Sequence, residues 1–121
     1  MNIAVISCKN IKDDICIGCH RCLTGFDKKE GEFERYQNTD AKLKAVLHCG
    51  GCTGSSTVLR MASLKAWMAL MDESVDAIHL GTCLIDNCPH KDELLQKVKA
   101  KAGVEVIEGS HPYRAKQIFG N

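Results

Sequence analysis

The chain has no apolar run approaching the ~20 residues that a membrane-spanning helix needs, so no transmembrane segment is predicted. Its opening stretch, Met1-Asn2-Ile3-Ala4-Val5-Ile6, gives way to Cys8-Lys9-Asn10 and is too short for the apolar core of a secretory signal. Neither sign of charge is in excess: 16 Lys and Arg stand against 15 Asp and Glu, for a formal charge of +1. That balance points to neither nucleic acid nor an anionic membrane as the main partner. Internal repeats, low-complexity segments and linkers are also missing. With 121 residues, 45% of them hydrophobic and 26% charged, the chain is expected to form one domain over residues 1–121, neither disordered nor divided. The expected location is the cytoplasm.

What is present in excess is cysteine, with eight residues. A cytoplasmic chain cannot rely on stable disulfides, because that compartment keeps thiols reduced. Isolated cysteines are small buried hydrophobes, which would account for one or two of them. It does not account for Cys16, Cys19 and Cys22 within a seven-residue stretch, or for Cys49 and Cys52 within four. Metal or redox chemistry is the better reading of such spacing.

Four short apolar runs read as buried strands: residues 3–7, 45–48, 75–80 and 104–107. The first runs into Cys8, the second into Cys49 and the third, through Gly81-Thr82, into Cys83. Residues 55–71 read as a helix capped by Ser55, Ser56 and Thr57, with Leu59, Ala62, Ala66 and Ala69/Leu70 recurring at helical spacing. Met61, Trp67, Met68 and Met71 widen that apolar face and read as core. Residues 90–102 form a second helix, with Leu94, Leu95 and Val98 inward and Gly103 as its stop. A shorter helix fits within residues 20–30, and the polar residues 31–40 read as loop. The alternation predicts an α/β fold: a single three-layer domain with a mostly parallel sheet of about four strands and flanking helices. Ligands of such sheets bind beyond the carboxyl ends of the strands. Cys8, Cys49 and Cys83 are therefore expected on one sheet edge, facing one crevice.

Cys16-Ile17-Gly18-Cys19-His20-Arg21-Cys22 has the C-x2-C-x2-C spacing with which ferredoxins wrap an iron–sulfur cluster. The fourth cysteine of that pattern, followed by proline, is not adjacent; Cys88-Pro89 is the one Cys-Pro pair. His48-Cys49-Gly50-Gly51-Cys52-Thr53-Gly54-Ser55 joins a strand to a helix N-terminus, where free amides and the helix dipole favour a thiolate. This pair could hold zinc or iron or cycle between dithiol and disulfide. A cysteine-phosphatase loop would need arginine six residues after its nucleophile, but Ser55 and Val58 hold those positions. No lysine follows the glycines, so a Walker loop is excluded too. No general-base triad or acid pair suggests a hydrolase. Among the histidines, His90 is either a helix cap or a ligand, and His79, inside a strand, reads as a satisfied core residue. His48 adjoins Cys49 but points to the other face of its strand. His20 and His111 are placed in loops.

The segment Cys49-Gly50-Gly51-Cys52, with Ile78-His79-Leu80-Gly81-Thr82-Cys83 and Cys88-Pro89-His90, resembles the CGGC domain family across nearly the whole chain. Members are small cytosolic proteins rich in cysteine and histidine. The resemblance implies metal binding, with Cys8, Cys16, Cys22, Cys49, Cys52, Cys83 and Cys88 as candidate ligands. Thr53 stands where many relatives carry proline after the second cysteine. Cys19 is an addition that makes this chain more ferredoxin-like. All eight thiols are therefore candidate metal ligands. The expected cofactor is an iron–sulfur cluster in a redox or sulfur- and metal-handling role, served by a redox partner protein. The alternatives are a structural or transferable zinc site, and a metal-free dithiol oxidoreductase using Cys49 and Cys52. Three closely spaced thiols, with few carboxylates nearby, favour the cluster over zinc.

Overall fold

A computed structural model describes residues 1–114; residues 115–121 of the expected domain lie outside the described residues. Four strands form one sheet in the order β2-β1-β3-β4: β1 (Asn2–Ser7), β2 (Lys42–His48), β3 (Ala77–Leu80) and β4 (Glu105–Glu108). Every pairing is parallel, with Ile6 opposite both Leu47 and Leu80. The unbroken apolar run Ile3–Ile6 within β1 makes it a central strand, buried on both faces. Ala4 and Ile6 pack into one core with Ile78 and Leu80. Ile3 and Val5 pack into the other with Ala77 and Ile107.

The helices cover these two faces as a three-layer arrangement requires. Helices α1 (Lys9–Ile11) and α2 (His20–Lys28) precede β2, α3 (Thr57–Leu70) joins β2 to β3, and α4 (Thr82–Asn87) and α5 (Lys91–Ala102) join β3 to β4. Met61 and Met68 of α3 and Leu94 and Val98 of α5 fill the core on the Ala4/Ile6 side. Cys22 and Phe26 of α2 fill the Ile3/Val5 side. Gly103 ends α5 at φ 69°, the left-handed turn that a C-terminal glycine supplies. Among the described residues no helix is long and apolar enough to cross a membrane.

Two expectations need correction, and one helix was not expected. Residues 31–40 are not simply a polar loop: Gly31–Tyr36 forms a 3₁₀ turn that drives Phe33 and Tyr36 into the core. Phe33 meets Phe26 edge-on with ring centres 5.3 Å apart. The segment between Gly81 and Cys88 is helix α4, too short to show a period in the sequence. Helix α3 turns the other way from that expected. Met61 and Met68 are inside, with Thr57, whereas Leu59, Trp67, Leu70 and Met71 are exposed. Its serines do not cap it either; the Thr57 hydroxyl donates to the Cys49 carbonyl at 2.9 Å, tying the helix to the loop before it.

His79 is wholly buried, and its Nδ1 lies 2.8 Å from the Gly109 carbonyl, to which it donates. Its Nε2 then accepts from the Tyr36 hydroxyl at 2.7 Å. Burial holds this imidazole below its usual pKa, so it stays neutral. It is a satisfied core histidine linking β3, β4 and the 3₁₀ turn.

Candidate metal centre

Parallel strands that end level deliver their next residues to one edge. The amide of Cys49 donates to the Ser7 carbonyl at 2.9 Å, and that of Gly81 to the Ile6 carbonyl at 2.8 Å. Cys8 and Cys49 therefore sit side by side, one step past β1 and β2. They line a cavity of about 190 Å³ whose wall also includes Cys52, Cys88, His90, Asn10 and Asn87. Leu84 and Leu94 make part of that wall apolar, and among the described residues that line it there is no Asp, Glu, Lys or Arg.

The two-glycine loop shapes one side. Gly50 has φ 86°, strained for any other residue, and a Cβ there would stand 1.9 Å from the Ser56 hydroxyl and have to displace it. Arg60 reaches back from α3 to donate to the His48 carbonyl at 2.8 Å, holding the loop's entry. Cys49 is buried in this loop, whereas Cys52 is exposed. The amide group of Asn10 approaches the Cys52 sulfur at 3.8 Å. The thiol of Cys88 is pushed up by burial; the His90 amide lowers it, while Cys49, Cys8 and Cys52 add to the rise. The other three thiols around this space thus oppose the ionisation of Cys88, an effect that a bound cation would offset.

The other four cysteines lie elsewhere. Cys83 does not face the cavity as its strand-end position led one to expect. Helix α4 begins at Thr82, directly after Gly81, and its first turn carries Cys83 beneath the chain. There its sulfur accepts the Cys8 amide at 3.3 Å, beside a smaller pocket that includes Arg21 and Asp86. Cys83 lies in the first turn of α4, whereas Cys88 is the extended residue just past its end, so the two thiols are presented separately. Cys16 ends the π-helical turn Lys12–Cys16, and Cys19, at φ 61°, is the residue from which α2 starts. Cys22 is inside α2, its sulfur 3.9 Å from the Ser110 hydroxyl. The C-x2-C-x2-C motif is therefore a turn running into a helix, not one open loop. Burial raises Cys22 to about 12, with Cys83, Cys19 and Cys16 adding to the rise and Ser110 opposing it. Burial likewise raises Cys83 to about 11 against the lowering effect of the Cys8 amide.

Of the histidines, His90 lines the cavity and also precedes α5 as its N-terminal residue. His20 pairs with Thr24 at 3.2 Å, and His111 is buried. Sequence reading did not single out Asn10, Asn87 or Arg60. The spacing of Leu84, Asn87 and Cys88 would have marked one face of a helix had α4 been recognised.

The donor set suits a thiophilic metal: four sulfurs, a nearby imidazole and, among the described lining residues, no carboxylate. Among the described residues, no three His, Cys, Asp or Glu side chains already meet around a single-ion position. Loading would require the thiols to draw together or a metal group large enough to span them.

An all-parallel sheet with thiols gathered at its carboxyl edge defines a cysteine-rich α/β protein. The chain belongs to the CGGC domain family, whose model matches residues 2–111. An uncharacterized protein of Methanocaldococcus jannaschii is 31% identical over 118 residues, covering 92% of this chain and 87% of that protein. No solved structure matches the chain.

Proposed function

We propose that this protein is a metal-binding protein that holds an iron–sulfur cluster in the cavity lined by Cys8, Cys49, Cys52 and Cys88. The observation that carries this reading is the convergence of four thiols, from three separate segments that follow strands, on one space whose described lining carries no charged side chain. The four thiols, with no carboxylate among the described lining residues, favour an iron–sulfur cluster, whose usual ligand is cysteine thiolate. When bound, the cluster would supply electron transfer or sulfur and metal handling. Cys49 and Cys88 would hold it from the buried side, Cys52 from the solvent side, and Leu84 and Leu94 would limit access of water. Cys16, Cys19, Cys22 and Cys83 remain candidate ligands as a second set, in which Cys83, Cys19 and Cys16 all act on the Cys22 thiol.

Anaerobic purification followed by iron and acid-labile sulfide analysis tests the reading. The expected protein is coloured, contains both, and bleaches in air. Cys49→Ser, Cys52→Ser and Cys88→Ser should each lower its iron content. Colourless protein with stoichiometric zinc would favour the zinc site, and its exchange with a chelator would separate a transferable ion from a structural one.

A second reading has its own support in the exposed Cys52 and buried Cys49 of one loop. As a dithiol, Cys52 would attack a disulfide substrate and Cys49 would resolve the mixed disulfide. Two substrate thiols would leave, and a Cys49–Cys52 disulfide would remain. Metal-free protein with a reversible disulfide at this pair would establish it.

A further inference from the structure

A helix on the surface of a protein normally turns charged residues outward. Helix α3 does not. Its charged residues are Arg60 and Lys65, and both are engaged by the protein itself: Arg60 with the His48 carbonyl and Lys65 with the Ala102 carbonyl. The outward arc consists of Leu59, Ala62, Ser63, Ala66, Trp67, Ala69 and Leu70, all exposed and none charged. Leu59, Trp67 and Leu70 are 71%, 64% and 78% exposed, and Met71 just beyond the helix is 65% exposed.

We propose that this face is the contact surface of a symmetric dimer of the chain. The first reason is size. Four large apolar side chains this exposed present on the order of 500 Å², near the top of the range for a monomer's largest patch. Two such faces together reach the ~1,000 Å² at which specific interfaces begin.

The second reason is self-complementarity. A two-fold interface requires that if residue i meets j, then j meets i. An antiparallel pairing of two α3 helices about their middle sets Leu59 against Leu70. It also sets Trp67 against Ala62, and Ser63 against Ala66. The indole fills the space left by a small residue, and the small waist lets the helices approach closely. The third reason is the lack of charge. A transient redox partner is steered by complementary charge, which this arc does not offer, whereas permanent homodimer interfaces are more apolar. The CGGC loops precede α3, so antiparallel pairing would place the two cavities at opposite ends, roughly 20 Å of helix apart.

Sedimentation of the full chain tests the proposal. The expected species has twice the 13.3 kDa chain mass. Leu59→Glu and Leu70→Glu should each weaken association by ~30-fold or more while leaving the circular dichroism of the fold unchanged. Trp67 is the sole tryptophan and gives an independent readout in the unaltered protein. Its emission should be blue-shifted at high concentration and shift to the red on dilution. If a variant fails to fold, the dilution series on the unaltered chain still decides. A 13.3 kDa species at every concentration, with constant red-shifted emission, would overturn the dimer and assign the face to a different protein or a lipid surface.

Discussion

The backbone amide of Cys8 donates to the sulfur of Cys83 at 3.3 Å, joining the ends of the two central strands. Cys8 lines the larger cavity and Cys83 the smaller pocket, yet the two are close enough that the Cys8 thiol adds to the rise of Cys83. Cys8, Cys49 and Cys88 pack against the core of the α3 and α5 side, and Cys22 belongs to the core of the α2 side.

Thiol reactivity should follow that division. In the metal-free protein, exposed Cys52 should be alkylated first. Cys22, raised to about 12 from an ordinary 9.0, should hold ~1,000-fold less thiolate at neutral pH and react among the last. Cys83, raised to about 11, should follow the same pattern. In metal-loaded protein both Cys49 and Cys52 should resist alkylation and become reactive after chelation. A peptide-mass time course resolves each site. Equal labelling of Cys49 and Cys52 with and without metal would remove their loop from the centre.

The two central glycines of the loop should differ sharply. Gly50→Ala forces a Cβ to within 1.9 Å of the Ser56 hydroxyl. Gly51→Ala meets only the Lys9 side chain at 3.7 Å and suffers only from its φ of 103°. We expect Gly51→Ala to cost about 1 kcal/mol, with Gly50→Ala costing more and lowering metal occupancy. Urea unfolding with metal analysis of both variants checks the order.

The 3₁₀ turn should prove to be core, not surface. Phe33→Ala removes a wholly buried ring and should destabilise the fold by about 3–5 kcal/mol. Tyr36→Phe keeps the ring but leaves the buried His79 Nε2 without its donor, at a cost of about 1–3 kcal/mol. Thermal melts compare the two, and a Phe33→Ala melting point equal to that of the parent would contradict the packing.

Acid should weaken the fold before most carboxylates titrate. Burial first, then Arg21 and Arg114, push His111 down to about 4 from 6.5. The unfolded chain takes up that proton at higher pH than the folded one, so folding favours the neutral ring. This contribution is complete above pH 6.5 and is lost as pH falls from there towards about 4. Buried His79 shifts in the same direction. Between pH 7.5 and 5, His111 should account for about 2 kcal/mol or less of lost stability. His111→Asn, which retains an acceptor for the Tyr113 amide now bonded to Nδ1, should flatten the pH slope in urea titrations.

The strands and their direction were legible because each is a short apolar run and helical segments separate most of them. The pattern also placed Cys8 and Cys49 at neighbouring strand ends, since a parallel sheet leaves little freedom there. Helix α3 shows why pattern alone stops short. It carries two apolar stripes, Thr57/Met61/Leu64/Met68 and Leu59/Ala62/Ala66/Leu70, and both have helical spacing. Only the sheet and α5 selected the first for the core. Phe33 and Tyr36 were hidden among charged neighbours, where no period announces burial.

The sequence by itself determined a cysteine-rich parallel α/β chain with thiols at its strand ends, because strand period, glycine turns and residue spacing are local. Only the tertiary structure decided which thiols share a cavity. That choice rests on where the first turn of α4 sends Cys83, and on which side of the sheet each preceding loop is packed. Both are set by side chains distant in sequence, competing for the same two faces of β1.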